Sequence, residues 1–280
     1  MAFPTNFSAN GLTGVGGQSS GVTQGLYDVD TNENGAIGSI LIDASDGSEY
    51  VYSYFSGAVT VGRLAALDVS KAIQSSFNAA FVDSGGTAKD TYAAGDTLIY
   101  VKTSDITSDD VQDQWAGGYL FITDAGGEGH KYKIKNHEAG AATTANVVGL
   151  EIYEPGLIIA LDSEGSAAMV GHAYNNLTIA NAGTDDPLRG VTMVDVAAGE
   201  YAWVQRKGIA LIEADEATGT IAAGTIAVLA DATDGAVAVL GQGRVNSEEE
   251  LDEVTTEPIV GEFVMAAVDT EFVPVDLKLP

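Results

Sequence analysis

The sequence predicts an all-β protein: short antiparallel strands forming one or two barrels or sandwiches, preceded by an extended Gly-rich N-terminal arm. Three observations carry that expectation. Apolar and aromatic residues alternate at period two in several short runs. Thirty-four glycines are spread through the 280 residues and mark many turns between those runs. Strands do not alternate with long helical patterns, as a parallel α/β sheet requires. With 45% hydrophobic residues the chain carries enough apolar surface for a core, unlike a chain disordered throughout.

The elements follow in order. Residues 1–36 hold Gly11, Gly14, Gly16, Gly17, Gly21 and Gly25 among Ser, Thr and Asn, which reads as an extended arm. Strand signals begin near Ile37. In Glu49-Tyr50-Val51-Tyr52-Ser53-Tyr54 the tyrosines fall at alternate positions, hence on one face of a strand. Ala58–Asp68 is the expected partner strand, interrupted at Gly62-Arg63. Between Ser70 and Phe81 the spacing of Ile73, Phe77 and Phe81 is helical but otherwise unsupported. Thr97–Val101 reads as a strand. Ser108-Asp109-Asp110 reads as the capped, acid-favoured start of a short helix ending at Gly117-Gly118.

Tyr119–Thr123 and Lys131–Lys135 read as a hairpin, with Tyr132 and Ile134 inward and Lys131, Lys133 and Lys135 outward. Val147–Tyr153 is a further strand, and Pro155-Gly156 a break. Leu157–Leu161 is apolar throughout, as a strand buried on both faces is. Tyr201–Gln205 is a strand with Tyr201 and Trp203 on one face. Ile226–Ala230 and Ala236–Leu240 flank Asp231-Ala232-Thr233-Asp234-Gly235, a hairpin whose Asp-Gly pair supplies the left-handed turn residue. Residues 247–253 are an acidic loop, and Pro258–Val268 and Phe272–Leu277 close the chain. The domain reading is an arm over 1–36, a β domain with a short helix over 37–155, and a second β domain over 156–280.

The chain has 40 acidic and 12 basic residues, a net charge of −28, and no Lys or Arg before Arg63. Such a chain repels phosphate backbones, so a nucleic-acid partner is not expected. Cysteine is absent, which excludes disulfides, thiol catalysis and thiolate metal sites. The first residues carry no basic stretch followed by an apolar one, and no apolar run approaches the roughly 20 residues that span a bilayer. A soluble protein with no membrane partner is expected.

Motifs for chemistry are sparse. There is no Gly-x-Ser-x-Gly elbow, and His137-Glu138 lacks the second histidine of a zinc protease. His130, in the predicted hairpin turn, reads as solvated, and neither His137 nor His172 has a catalytic setting in the sequence. Gly14-Val15-Gly16-Gly17-Gln18-Ser19 lacks the preceding strand and the Lys of a phosphate loop. Asp30-Thr31-Asn32-Glu33-Asn34-Gly35 matches the first half of a calcium loop, with Asp30, Asn32 and Asn34 as oxygen donors. The twelfth position is Leu41 instead of Glu, and the same residues make an ordinary turn. No catalytic, cofactor-binding or metal-ligating residue is assigned, and no cofactor is expected.

Four segments carry a resemblance. They are Asp46-Gly47-Ser48-Glu49-Tyr50-Val51-Tyr52 with Val61-Gly62-Arg63-Leu64; Trp115-Ala116-Gly117-Gly118-Tyr119-Leu120 with Gly127-Glu128-Gly129-His130-Lys131-Tyr132-Lys133-Ile134; Gly199-Glu200-Tyr201-Ala202-Trp203-Val204-Gln205-Arg206-Lys207-Gly208; and Pro258-Ile259-Val260-Gly261-Glu262 with Val275-Asp276-Leu277. In this order they resemble virion structural proteins of tailed phages of the marine and cyanobacterial type. More loosely, they are similar to capsid decoration and cement proteins. The resemblance runs from about Asp46 to the C-terminus. The chain departs from it at Ala202 and in its longer Gly-rich start.

The resemblance implies a non-enzymatic structural protein, made in the host bacterial cytoplasm and placed on the capsid exterior of the virion. Its expected partner is the major capsid protein. A homo-oligomer is expected too, with a trimer favoured at a local threefold axis. Alternatives are a head–tail connector, tail or fibre structural protein, and a carbohydrate-binding module using Tyr201, Trp203 and the tyrosines near residue 52.

Overall fold

The computed structural model describes residues 22–69, 79–89, 91–102, 113–124, 126–137, 146–162, 164–182, 187–215, 221–240, 258–266 and 271–279. The protein is all-β, and every regular element among the described residues is a strand. In chain order they are β1 (Ile40–Ile42), β2 (Glu49–Tyr54), β3 (Leu64–Leu67), β4 (Ala79–Val82), β5 (Thr91–Tyr92) and β6 (Leu98–Lys102). Next come β7 (Tyr119–Asp124), β8 (Lys131–His137), β9 (Val147–Ile152), β10 (Leu161–Asp162), β11 (Ser166–Val170) and β12 (Leu177–Ile179). The last are β13 (Leu188–Thr192), β14 (Tyr201–Glu213), β15 (Ile226–Leu229), β16 (Val237–Val239), β17 (Ile259–Phe263) and β18 (Phe272–Lys278).

The chain folds as two compact units. One combines the residues up to Asp68 with those from Asn176 onward, and the other, Val69–Asn175, is inserted between them. The expected boundary at Pro155-Gly156 falls inside the inserted unit. There Leu157 is buried in that unit's core and donates its N–H to Asp96 O at 2.9 Å, tying the turn down.

The inserted unit is a closed barrel of six strands in the order β11-β4-β6-β9-β8-β7, with antiparallel neighbours. Closure leaves no free sheet edge on those strands. Alternation decides which side chains fill it. On β8, Tyr132 and Ile134 point in while Lys131, Lys133 and Lys135 stay exposed, as the sequence predicts. Phe81, Ile99, Leu120, Leu150 and Met169 complete the packing. The hairpin β7–β8 pairs Tyr119 with Lys133 and Phe121 with Lys131. Leu157–Leu161 is not a doubly buried strand. Leu157 and Leu161 are buried, but Ile158 and Ile159 are exposed, and only Leu161–Asp162 pairs, with β5. Ile73, Phe77 and the expected helix start at Ser108 lie outside the described residues; residues 113–117, at the helix's expected end, form turns, and Phe81 sits in a strand.

The other unit is one ten-stranded sheet organised by β14. The first half of this 13-residue strand pairs with β2, and Val204 and Gln205 pair with β13; its second half pairs with β18. Beyond β18 follow β17, β15 and β16, and Ala214 bridges back to Val237, so the sheet curls on itself. Inside the curl lie Ile212, Leu229, Val260, Phe263, Val275 and Leu277. The β15–β16 hairpin turns where the sequence places it, and Gly235 has φ +68°, a conformation glycine adopts without strain. Leu64 donates its N–H to Gly235 O at 2.8 Å, which returns this turn to β3.

Ala58–Asp68 does not pair with β2. Its regular part, β3, lies between β12 and β13, while β2 takes β1 and β14 as neighbours. Of the expected arm, residues 1–21 lie outside the described residues. Residues 22–36 form a loop held to this sheet: Val22 and Gln24 are buried, and Asp30 and Tyr201 exchange two backbone hydrogen bonds at 3.2 and 2.7 Å.

Candidate functional site

From Lys207 onward β14 alternates cleanly. Ala210 and Ile212 face the core, whereas Ile209 and Leu211 are 61% and 56% exposed. On neighbouring β18, Val273, Val275 and Leu277 face in, leaving Phe272 exposed on the outer side; register places Leu211 opposite Pro274 and Glu213 opposite Phe272. The turn before β3 adds exposed Val61 beside them. Gly62 in this turn has φ +70°, and any β-carbon there would lie 2.5 Å from the Phe272 ring, so glycine alone lets the ring settle over the turn.

The result is a cleft of about 360 Å³ lined by Val61, Gly62, Val191, Thr192, Met193, Gln205, Ala210, Leu211 and Phe272. Its two polar side chains are already engaged. Thr192 Oγ1 donates to Thr60 O at 2.6 Å, and Gln205 Nε2 donates to Lys207 O and Ile209 O, both at 3.1 Å. Around it, Val61 N–H donates to Asp195 Oδ1 at 2.8 Å, and Arg63 is ion-paired with Glu213. A shallow apolar recess with engaged polar groups is built to receive apolar surface. No acid–base pair converges on it among its lining residues.

The other residues singled out in the sequence have structural partners. Asp30 Oδ1 accepts the backbone and side-chain N–H groups of Asn32, each at 2.9 Å, and Asp30 Oδ2 accepts Asn34 Nδ2–H at 2.9 Å. These bonds, the Asn32 backbone N–H first, hold the Asp30 carboxyl below its ordinary range. The three residues do come together, but as a hydrogen-bonded turn with amide nitrogens on the carboxylate. Among the described residues, no group of three or more His, Cys, Asp or Glu is placed to hold a metal ion.

His137 is buried and its Nε2 accepts the backbone N–H of Trp115 at 2.9 Å, so it braces the barrel. His130 is partly exposed, stacks on Tyr132 and shares a 2.9 Å bond between Nδ1 and Gly127 O. His172 Nδ1 accepts the Tyr174 N–H at 3.2 Å. Trp203 and Tyr52 are 1% and 0% exposed and meet edge to face at 5.4 Å, so neither ring offers a face to a sugar. The Gly14–Ser19 stretch lies outside the described residues.

The exposed face of β14 and β18 was not marked in the sequence. Gly208-Ile209-Ala210-Leu211-Ile212 is one apolar run, and nothing local distinguishes its buried from its open side. The fold defines the class, an all-β protein with a closed barrel inserted into a curled sheet. No protein-family model matches the chain, and neither a curated protein nor a solved structure matches it.

Proposed function

We propose that this chain is a non-enzymatic structural protein of a tailed-phage virion, a decoration or cement protein that stabilises the exterior of the head. The observation that carries the reading is the open apolar face of Ile209, Leu211, Phe272 and Val61 on a chain of net charge −28. Apolar surface kept in water on so acidic a protein is surface held for a protein partner. In this reading the partner is the major capsid protein, and the bound copies form a homo-oligomer, a trimer at local threefold positions. A ligand that binds only the assembled lattice stabilises it by mass action. The four segments that resemble phage virion proteins support the same reading, and they include Val61 and parts of β14 and β18. The buried state of Trp203 and Tyr52 counts against the sugar-binding alternative.

The test is quantitative mass spectrometry of purified virions of the phage that encodes the chain, with copy number set against the major capsid protein. A ratio near one, or near a simple fraction of it, is expected. A handful of copies moves the chain to a connector, tail or fibre, and absence from virions sinks the structural reading altogether.

A further inference from the structure

Several cations of this chain that the structure describes are matched by carboxylates. Arg63 pairs with Glu213, Lys135 with Glu151 at 2.6 Å, Arg206 and Lys207 with Glu49 at 2.8 and 3.2 Å, and Lys278 with Glu262 at 3.4 Å. Lys131 and Lys133 are held differently, as is Lys89, whose ammonium lies 3.6 Å from the Tyr92 ring centroid. Both are exposed on the outer face of β8, and among the described residues neither pairs with a carboxylate. Their ammonium groups sit over tyrosine rings instead, Lys131 over Tyr119 at 5.1 Å and Lys133 over Tyr153 at 5.8 Å. Tyr119 and Tyr153 are themselves 38% and 51% exposed. Phe121 packs beside Tyr119 with ring centroids 6.1 Å apart. Alternate residues of a strand stand about 6.7 Å apart, so β8 presents a row of cations flanked by rings.

Such a row on a chain with 40 acidic residues is a local reversal of sign. Copies of a strongly acidic chain repel one another, and ordered self-association needs a place where that repulsion is inverted. The chain also supplies the complement. Between Val22 and Gly62 it carries no Lys or Arg, while Asp28 and Asp46 are exposed there.

We propose that the outer face of β7 and β8, with Lys131, Lys133, Tyr119 and Tyr153 at its centre, docks the acidic surface of a second copy of this chain. The contact is heterologous: one copy offers the cationic face and the next an acidic one, and it closes into a ring if the rotation permits. This deepens the homo-oligomer of the proposed function and rests on it, but it does not depend on where in the virion the oligomer sits.

The experiment uses the full-length chain and the variant Lys131→Glu/Lys133→Glu, both substitutions being at exposed positions. Light scattering after size exclusion is run at about 50 mM and about 500 mM NaCl, below and above the ionic strength at which exposed charges are largely screened. The unaltered chain is expected to form an oligomer at low salt and to dissociate at high salt. The variant, with matching circular dichroism, is expected to associate about 100-fold more weakly or not at all, since juxtaposed like charges replace opposite ones. Carbodiimide coupling of mixed light- and heavy-isotope chains should join Lys131 or Lys133 to a carboxylate of the other isotope. An oligomer indifferent to both salt and the variant overturns this inference and leaves the decoration reading standing. A monomer under all conditions overturns the docking face and the trimer together, and virion copy number then decides the rest. Retention on a sulfated-polysaccharide resin that the variant loses, without self-association, overturns it in favour of an anionic glycan.

Discussion

The hydroxyl of Tyr52 donates to Gln24 Oε1 at 2.9 Å, and the two residues anchor the segment before β1 to the sheet. The same hydroxyl oxygen accepts the Asn34 N–H at 3.0 Å, while Trp203 Nε1 donates to Gln24 O at 3.2 Å. Gln24 Nε2 completes the set by donating to Asp28 O and Tyr201 O, each at 2.7 Å. A fully buried ring with a doubly used hydroxyl is a polar network whose members depend on one another. Tyr52→Phe leaves the Asn34 N–H without this acceptor and is expected to cost about 1–3 kcal/mol. The urea midpoint should fall with the slope unchanged. An unchanged midpoint would mean that the network does not anchor the segment.

Glu49 links β2 to β14 through Arg206, whose Nε and Nη2 donate to one carboxylate oxygen at 3.0 and 2.8 Å, and through Lys207 at 3.2 Å. Burial raises the carboxyl's pKa. The hydrogen bonds and charges of Arg206 and Lys207 outweigh that and hold it below the ordinary 4.5. A depressed folded value contributes stability above the unfolded value, and that contribution is lost as pH falls through the folded one. Glu49→Gln should therefore cost about 1–3 kcal/mol at neutral pH. The gap from the unaltered protein should close as pH drops below about 4.5, in thermal melts taken across that range. A gap that stays constant down to pH 2 would show that the carboxylate's charge is not what these cations hold.

The all-β class was legible because turn chemistry and period-two alternation are local. Asp234-Gly235 marks its hairpin, and Tyr132 and Ile134 separate from the lysines on β8 by alternation alone. Pairing was not legible where partners are far apart in sequence. Nothing near Tyr50 tells that it lies opposite Gln205 across β2 and β14, or that β3 is inserted between β12 and β13. Uniformly apolar runs carry no phase. Leu157–Leu161 reads as doubly buried, although Ile158 and Ile159 are exposed, and the run at Ile209–Ile212 conceals an open face for the same reason. The candidate site was thus hidden by apolar residues on both sides of one strand, and only the register with β18 sorts them.

Two glycines of the same backbone class should respond unequally to alanine. Gly47, at φ +77°, has open space around it, so Gly47→Ala carries only the left-handed penalty of about 1–2 kcal/mol. Gly235, at φ +68°, would place a β-carbon 2.9 Å from Ile179 Cγ1 and 3.0 Å from Arg63 Cβ. Gly235→Ala adds overpacking of about 1–3 kcal/mol to the same penalty. Melting temperatures of the two variants check the order, and equal shifts would place the whole cost in backbone strain.

Calcium should leave the protein's melting temperature unchanged. Both carboxylate oxygens of Asp30 accept N–H groups, and Asn32 and Asn34 turn amide nitrogens toward it. A cation would have to break those bonds and reverse both amides before it gained oxygen ligands. Scanning calorimetry with millimolar calcium against a chelator measures this. A calcium-dependent rise that Asp30→Ala removes would restore the metal reading of the turn.

Replacing the open apolar face should separate binding from folding. Ile209 and Leu211 project outward from β14, and Thr, itself β-branched as suits a strand, removes apolar surface at both positions. Ile209→Thr/Leu211→Thr is expected to shift stability by no more than about 0.5 kcal/mol per site, as exposed substitutions do. Co-sedimentation with capsids that lack the protein should nevertheless fall sharply, because the face loses the surface whose burial drives docking. Undiminished binding by the folded variant would move the capsid contact off the outer side of β14 and β18. If folding itself were lost, the alternation that leaves these two side chains open would be wrong, and with it the cleft between Val61 and Phe272.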